Sequence, residues 1–253
     1  MSLIRPIAHI RTDLPQKFGI PRQSGLAEHV QGRIIFNPEF ANPDAVRGLE
    51  GFSHLWLLWQ FENGETGGTA DQVAADTNAP VSNDGAVHTN ANWSATVRPP
   101  KLGGTERMGV FATRSPFRPN PIGLSCVKLD HVEVTKKGPI IHVLGADLRD
   151  NTPILDVKPY VPYADCQPDA TAGFTGRIAR TKLAVDFPPE LLEKVPQEKR
   201  QGMREILEQD PRPVGKHESD RIYKLAFAGY LVEFTGFEDV LTVTAVQQTS
   251  ELE

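Results

Sequence analysis

Residues 53–61, with the sequence SHLWLLWQF, constrain the fold of this chain more than any other segment. Alternate residues from Leu55 to Phe61 fall on one face of an extended strand, and the residues between them fall on the other. Both faces carry apolar side chains. The pattern therefore predicts a strand that is covered on its two sides.

Short strand candidates separated by turn signals fill the rest of residues 1 to about 165, where helix signals are scarce. The other candidates are residues 3–11, 32–36, 107–112, 124–134, 140–146 and 154–159. Seven strands without long helices predict a small barrel or sandwich. One short helix is expected at residues 42–48, because Asn42 can cap its start and Pro43 suits the first helical position.

The pattern changes after residues 168–181, which are predicted to connect two units. Helices are predicted at residues 188–195 and 197–209, followed by strands at 222–227, 230–234 and 241–246, with turns near Gly229 and Gly236. A chain of 253 residues can bury two cores. The sequence thus predicts a mainly β protein, with a small β domain, a barrel or a sandwich, at residues 1–167 and a smaller α+β domain at residues 182–253.

Residues 62–95 contain mostly small polar side chains and form a long predicted loop. Loops of that length inside a compact domain are usually functional lids or disordered insertions. Composition alone leaves both interpretations open.

Several classes of protein are disfavoured by what the sequence lacks. No apolar run approaches the roughly 18 residues that cross a bilayer, and the first 14 residues lack an apolar signal core, so we expect a cytoplasmic protein that does not bind a membrane. The two cysteines, Cys126 and Cys166, are too few for a disulfide framework. The seven histidines include no pair at metal-ligand spacing, and no phosphate-binding loop, GxGxxG fingerprint or GxSxG elbow is present. We therefore expect no metal.

The formal net charge of −5 argues against a protein that coats nucleic acid through bulk charge. The local balance is different between residues 98 and 128, where six cations stand against the single anion Glu106. The cations are Arg98, Lys101, Arg107, Arg114, Arg118 and Lys128. This segment is either a solvated surface or a basic face that attracts a polyanion such as RNA.

Residues 109–123, GVFATRSPFRPNPIG, hold two arginines and an asparagine between three prolines. Prolines fix φ and lower the entropy of the loop, so Arg114, Arg118 and Asn120 have little freedom left to lose when a ligand binds. Guanidinium groups bind carboxylates and phosphates through paired donors. The motif favours an anionic ligand, although arginines that merely tie two loops together would give the same pattern.

Residues 147–160, DLRDNTPILDVKPY, place several carboxylates beside a lysine and an aromatic residue. Asp156 and Lys158 are two apart and so face the same side of a strand, whereas Asp147 and Asp150 flank a turn. Such carboxylates can bind ribose hydroxyls or accept a proton from an attacking amine. Tyr160 is either part of a core or a platform for a nucleobase. With residues 109–123, this segment is predicted to form one polar site.

Together, these and several other segments closely resemble the TsaA-like family, and specifically its bacterial TrmO tRNA methyltransferases. The segments are PRQSGL (21–26), AVRGLEGFSHLWLL (45–58), TVRPPKLGG (96–104), RMGVFATRSPFRPNPIGLS (107–125), DLRDNTPILDVKPYVPYAD (147–165) and EILEQDPRP (205–213). The resemblance spans nearly the whole chain.

The resemblance implies an enzyme that uses S-adenosylmethionine to methylate N6 of threonylcarbamoyladenosine (t6A) in tRNA, at the position after the anticodon. It also implies a β-barrel cofactor domain instead of a Rossmann fold, and a homodimer. By motif position, it implies cofactor contacts from Ser24, Gly25, Leu26, Phe61, Glu62, Asn63, Arg118, Lys128, Asp156, Val157 and Lys158.

We expect a carboxylate to receive the proton of the attacking amine, with Asp156 as the first candidate and Asp150 as the second. Arg114 is predicted to hold the threonyl carboxylate, and Tyr160 completes the candidate catalytic set. Contacts to tRNA are predicted from Arg98, Lys101, Arg107, Arg114 and Asn120. Two alternatives remain open: a noncatalytic barrel that binds RNA or a small anion, and a methyltransferase that acts on a small molecule.

Overall fold

The protein is described by a computed structural model for residues 4–61, 93–99, 106–178, 181–213 and 221–251. Its strands are β1 (Ala8–Thr12), β2 (Gln31–Phe36), β3 (His54–Gln60), β4 (Thr96–Val97), β5 (Met108–Gly109), β6 (Ile122–Thr135), β7 (Gly138–Leu144), β8 (Thr152–Pro159), β9 (Ala184–Asp186), β10 (Tyr223–Phe227), β11 (Tyr230–Phe237) and β12 (Val240–Gln248). The α-helices are α1 (Pro162–Asp165), α2 (Pro189–Leu192) and α3 (Gln197–Glu208). Short 3₁₀ helices span Pro38–Phe40, Pro43–Val46, Leu49–Gly51, Val110–Ala112, Gly173–Arg177 and Thr249–Glu251.

Six antiparallel strands close into a barrel in the order β1-β2-β7-β6-β3-β8. The alternation predicted for residues 53–61 sets its interior, where Leu55 and Leu57 are fully buried and Trp59 is nearly so. Closure leaves these six strands without an exposed edge along their paired lengths, so the backbone polar groups are satisfied within the barrel. The predicted barrel fold is confirmed.

The second sheet has four strands in the order β10-β11-β12-β9. Three of them follow one another as antiparallel neighbours, and β9 joins the edge in parallel with β12. The buried face of α3 packs on this sheet through Met203, Ile206 and Leu207, as the helical spacing predicts. Helix and sheet together form the smaller α+β unit.

This second core also takes in three residues that lie between β1 and β2 in the chain. Leu14, Ala27 and Val30 are buried in the same cluster as the apolar face of α3 and the strands of the second sheet. The boundaries at residues 167 and 182 stay a prediction, but the cores of the two units are not separated at that point of the chain.

Polar contacts join the two units along α3. The ammonium group of Lys199 donates to both carboxylate oxygens of Asp13, at 2.8 and 2.7 Å, and to Gln31 at 2.7 Å. The buried carboxylate of Glu205 accepts from the backbone N–H of His29 at 2.8 Å. Its other oxygen lies 2.6 Å from Nδ1 of the His29 ring. These bonds fix the orientation of α3 against the barrel.

Several local predictions were confirmed and others were wrong. Asn42 does cap the first 3₁₀ turn after Pro43, because its side chain accepts from the N–H of Asp44. Residues 107–112 are not one strand but the two-residue β5 followed by a 3₁₀ turn. The turn predicted near Gly236 lies two residues later: Gly236 itself is within β11, and the chain turns at Glu238, which has φ 49°. The three-residue β9 was not predicted.

No helix among the described residues is long and apolar enough to span a membrane. The long loop predicted at residues 62–95 lies almost entirely outside the described residues.

Candidate functional site

A cleft of about 900 Å³ opens at one end of the barrel. At this end β3 finishes, β6 begins and β8 begins, as their antiparallel registers require. The cleft is completed by residues 17–26, by the proline-rich segment after β5, and by residues 209–213 of the second unit. Three distant parts of the sequence therefore contribute to a single concave surface.

Asp147 is the carboxylate at the barrel side of this cleft. Its Oδ1 atom accepts a 2.6 Å hydrogen bond from the hydroxyl of Ser125, and that hydroxyl accepts a 3.0 Å bond from the indole N–H of Trp59. Ser125 is almost fully buried inside the barrel, whereas solvent still reaches Asp147 from the cleft. The chain of bonds holds the carboxylate in one orientation.

Burial raises the pKa of Asp147 above its ordinary value, and the bond from Ser125 and the charge of Arg114 only partly offset this effect. A carboxylate destabilised in its charged form binds a proton more readily than a solvated one. Asp147 is therefore a better proton acceptor than a solvated Asp.

Aromatic rings form the apolar wall beside Asp147. The rings of Trp59 and Phe61 have centroids 4.2 Å apart in a tilted arrangement. Gly123 lies directly under the indole, and a β-carbon at that position would overlap the ring. Only glycine at position 123 allows Trp59 to lie flat across the end of the barrel.

The proline-rich segment is held by hydroxyl-to-backbone bonds as well as by its prolines. The hydroxyl of Thr113 donates to the carbonyl of Val110 at 2.8 Å, and the guanidinium of Arg118 donates to the carbonyl of Thr113 at 3.0 Å. Phe117 is buried against Val110 and Val97 in a small core of its own. The rigidity expected from three prolines thus has further local support.

Among the residues that the structure describes, six cations and two acids line the cleft: Lys17, Arg22, Arg114, Arg118, Arg149 and Arg212, with Asp147 and Asp210. Arg212 is buried and binds Asp210 through two bonds, Nε–Oδ1 at 2.7 Å and Nη2–Oδ2 at 3.1 Å. Arg114 donates to the side chain of Gln23. The excess of positive charge indicates an anionic ligand.

Arg22 differs from the other arginines of the cleft. Burial lowers the pKa of its guanidinium, with partial compensation from the charge of Asp210, although solvent reaches the side chain. A side chain that is accessible and yet crowded by protein is typical of a position inside a concave surface. Arg22 was not among the predicted site residues.

The carboxylates predicted from residues 147–160 are not brought together in one protomer. Asp150 accepts from the guanidinium of Arg11 at 2.8 Å and from the N–H of Thr12 at 2.9 Å, and it does not line the cleft. Asp156 forms a 3.1 Å ion pair with Lys158 on the outer surface of β8. A single protomer therefore does not bring these two acids to Asp147, and the expectation of one shared polar site stays a prediction for them.

Tyr160 also lies on this outer surface. Its ring is 5.8 Å from that of Trp56 and 6.2 Å from that of His54, both on the outward side of β3. Burial raises the pKa of Tyr160, with further contributions from Cys166 and Asp165, so its phenol stays protonated at neutral pH. Val157 lies between Asp156 and Lys158 in β8. It pairs with Leu57 of β3 and packs against the barrel core.

The residues predicted to bind the cofactor are divided between two surfaces. Leu26, Phe61 and Arg118 line the cleft, and the hydroxyl of Ser24 next to it accepts from the N–H of Cys126 at 3.1 Å. Gly25 has φ 76° and open space where a β-carbon would be. The others are on the outer surface, namely Lys128, Asp156 and Lys158. Glu62 and Asn63 lie outside the described residues.

The residues predicted to contact tRNA lie around the proline-rich segment. Arg114 and the exposed Asn120 line the cleft. Arg107 binds the hydroxyl and the carbonyl of Thr96, at 2.7 and 2.9 Å, and Arg98 lies just beyond β4. Lys101 lies outside the described residues.

The comparisons with known proteins agree with this architecture. The family model for the tRNA-methyltransferase O N-terminal domain matches residues 9–166, and the one for the TrmO C-terminal domain matches residues 180–249.

Two curated relatives share the name tRNA (adenine(37)-N6)-methyltransferase. The protein from Escherichia coli (strain K12) is 41% identical over 82% of this chain and 80% of its own length. The one from Eikenella corrodens is 43% identical over 77% of this chain and 97% of its own length.

The crystal structure of TrmO from Pseudomonas aeruginosa aligns with this chain at a TM-score of 0.69 and 30% identity, covering 98% of this chain and 99% of that one. The family models match most of the sequence, and the solved fold extends over both units. The chain therefore belongs to the tRNA-methyltransferase O family.

Proposed function

We propose that this protein transfers a methyl group from S-adenosylmethionine to N6 of adenine 37 in tRNA, when that base carries a threonylcarbamoyl group. Family membership and the names of the relatives support the reaction. The observation in this chain that supports the reaction is the cleft, where the half-buried carboxylate of Asp147 lies among arginine side chains beside an aromatic wall. We expect the enzyme to act in the cytoplasm, where its substrate is.

The residues of the cleft fit a nucleoside cofactor. Binding sites for small ligands usually enclose about 300 to 1,000 Å³ and combine apolar walls with a few polar groups. The volume of about 900 Å³ lies in the upper part of that range. The rings of Trp59 and Phe61 offer a surface for a purine, and Arg118 offers donors for a carboxylate. When bound, the cofactor supplies a methyl group on a positively charged sulfur.

The chain's own residues position the acceptor and manage its proton. A displacement at carbon needs the attacking nitrogen about 3 to 3.5 Å from the methyl group and in line with it. As N6 gains the methyl group it loses its proton, and Asp147 is the acid of the cleft with a raised pKa and a fixed orientation. We assign the proton to Asp147 in preference to Asp156 and Asp150, which lie on other surfaces of the protomer.

We also propose that the protein works as a homodimer. The predicted cofactor residues Arg118 and Phe61 lie at the cleft, whereas Lys128, Asp156 and Lys158 lie on the outer surface of the barrel. If a second copy covers this outer surface, one ligand can contact the cleft residues of one protomer and the outer residues of the other. Leu124 lies on the outward side of β6 where this surface meets the rim of the cleft, and it is 47% exposed, as an interface residue would be in the isolated protomer.

The dimer is tested by sedimentation of the full chain at increasing concentration. Leu124→Asp is expected to shift the population toward monomer and to weaken cofactor binding in parallel, because it places a charge in an apolar contact. A wild-type protein that remains monomeric while binding cofactor at full affinity would contradict the proposal.

The function itself is tested with radiolabelled S-adenosylmethionine and tRNA that either carries or lacks the threonylcarbamoyl group. Label is expected in the modified tRNA alone, and nuclease digestion is expected to recover it on the base. Incubation with a pool of metabolites in place of tRNA separates this enzyme from one that acts on small molecules. Cofactor binding without transfer to any acceptor would favour a noncatalytic barrel.

A further inference from the structure

The wall of the cleft opposite the barrel end has no role in the function proposed above. It consists of Arg22 from the first unit and residues 209–213, which follow α3 in the second unit. Leu26 meets this wall where Gln209 donates to its carbonyl at 3.2 Å, whereas Phe61 and Arg118 come from the end of β3 and the proline-rich segment. The rest of this wall, including Arg22, is therefore available to the acceptor base.

The turn after α3 is rigid and its charges are paired. Asp210 has φ 53°, and Pro211 and Pro213 flank Arg212. Both carboxylate oxygens of Asp210 accept from the guanidinium of Arg212, which is 4% exposed. This pair shapes the wall, and Asp210 acts on Arg22 as a nearby charge.

Arg22 is the cation of the cleft for which the described part of the chain shows no bonded partner. Among the residues that the structure describes, no hydrogen bond or ion pair joins its guanidinium to another side chain or to the backbone, and Asp210 acts on it only as a nearby charge. By contrast, Arg114 donates to Gln23 and Arg118 to the carbonyl of Thr113. The unused donors of Arg22 face solvent from inside the cleft.

The surroundings of Arg22 match a base that carries a carboxylate. Pro21 is buried next to it, and the apolar side chains of Phe18 and Trp59 line the same cleft. A guanidinium offers a planar fork of donors that matches a carboxylate through two parallel bonds. Unmodified adenine has no group that would satisfy this fork.

We propose that Arg22 binds the carboxylate of the threonylcarbamoyl group, and so selects modified adenine 37 over the unmodified base. This inference rests on the proposed function. It assigns to Arg22 the part that the sequence predicts for Arg114. A backbone phosphate of the RNA has similar chemistry, so the test must separate the two anions.

The test uses three anticodon stem-loop RNAs of one sequence, which carry t6A, its carboxyl methyl ester or plain adenosine at position 37. All three have the same phosphates, and only the first has the carboxylate. Affinities are measured by fluorescence anisotropy with the full chain, for wild type, Arg22→Ala, Arg22→Lys and Arg47→Ala. Arg47 serves as a matched control because it is exposed, pairs with Asp44 and does not line the cleft.

Wild type is expected to bind the acid about 10- to 100-fold more tightly than the ester, the usual effect of a hydrogen-bonded charge. Arg22→Ala is expected to reduce that ratio to about one, because the ratio isolates the pairwise interaction. Arg22→Lys should retain part of the ratio, since it keeps the charge without the planar fork. Arg47→Ala should retain all of it.

The proposal is overturned if Arg22→Ala keeps the preference for the acid, or if it weakens the acid and the ester equally, as loss of a phosphate contact would. It is also overturned if wild type does not distinguish acid from ester. Methyl transfer by wild type to the t6A stem-loop is measured beside these affinities. If that transfer fails, the proposed function is at fault; if it succeeds while Arg22→Ala still discriminates, only the assignment of Arg22 is wrong.

Discussion

The cleft at the end of the barrel differs from a second concave surface on the side of the molecule in how its charges are paired. The second surface, here called the side groove, encloses about 470 Å³ between β1, β2, β7 and α3. Two of its cations bind acids directly, Arg11 with Asp150 at 2.8 Å and Lys199 with Asp13 at 2.7 Å. The described lining of the cleft holds six cations and two acids, and one of these acids, Asp147, has a raised pKa.

The ion pairs distinguish charged side chains that stabilise the fold from charged side chains that are available to a ligand. In the side groove each of these acids stabilises its own neighbour, and the pairs join elements that are far apart in the sequence. In the cleft, burial disfavours the charged forms of Arg22 and Asp147, and a bound ligand can offset that cost. The comparison predicts opposite outcomes for substitutions that look alike in the sequence.

The largest effect is expected for Asp147→Asn. If Asp147 receives the proton of N6, turnover should fall by about 10²- to 10⁴-fold, the usual contribution of a positioned acid or base. Asp150→Asn should leave turnover nearly unchanged, because its carboxylate is bound by Arg11 and Thr12. Single-turnover rates with labelled cofactor measure both, and an inactive Asp150→Asn with an active Asp147→Asn would reverse the comparison.

The same variant carries a dependence on pH. The rate of methyl transfer by wild type should fall as pH drops through the raised pKa of Asp147. The residual rate of Asp147→Asn should not show this decrease. For stability, the unfolded chain ionises this group at its ordinary pKa, so the charged carboxylate lowers the free energy of unfolding at neutral pH. Asp147→Asn should therefore be the more stable protein at neutral pH, by a margin that disappears below the ordinary pKa of Asp.

The next largest effect is expected for Lys199→Ala in the side groove. It removes the partner of Asp13, whose side chain is only 14% exposed, and we expect a loss of about 1.5 to 3 kcal/mol in the free energy of unfolding. Lys224→Ala is the control, since Lys224 is 61% exposed and its pair with Glu233 should contribute less than about 1 kcal/mol. Denaturant titration followed by circular dichroism compares the two, and equal losses would mean that burial does not decide the value of these pairs.

A smaller effect is expected for Arg114→Ala on the binding of tRNA. Loss of one phosphate contact should lower the slope of log affinity against log salt by about one. Arg33→Ala, on the exposed side of β2 in the side groove, should leave the slope unchanged. Filter binding at several salt concentrations measures both slopes, and a loss at Arg33 equal to that at Arg114 would place tRNA on the side groove as well.

The smallest effect is expected for Arg11→Ala. Arg11 is 53% exposed, and exposed ion pairs usually contribute about 0 to 1 kcal/mol. Thermal unfolding should show a shift close to the error of the measurement. A large loss of stability would show that the pair with Asp150 is not an ordinary surface bridge.

The sequence predicts the barrel because its signal is local. Alternation in residues 53–61 decides which side chains enter the core, and Leu55 and Leu57 are accordingly buried. Likewise, the apolar spacing in α3 identifies its buried face. The parallel β9 was missed because three residues give little alternation, and its partner β12 lies more than 50 residues further along the chain.

The site was predicted only in part, because carboxylates that are close in sequence need not face the same way. Asp147 comes before a turn at Asn151, which has φ 67°, and Asp150 comes within that turn. The chain then enters β8, where pairing with β3 directs Asp156 outward. The bond from Ser125 to Asp147 joins β6 to the segment after β7. The alternation of residues along one strand does not predict a contact between two such elements.

The burial of Leu14, Ala27 and Val30 beneath the second sheet has a consequence for synthesis on the ribosome. These residues leave the exit tunnel early, but the strand carrying Val246, which completes the cluster around them, is made last. The nascent chain must expose this apolar surface for most of its translation, a period in which it is open to aggregation and to chaperones. We expect a ribosome-bound fragment that ends before β10 to be captured by chaperones far more than the finished protein.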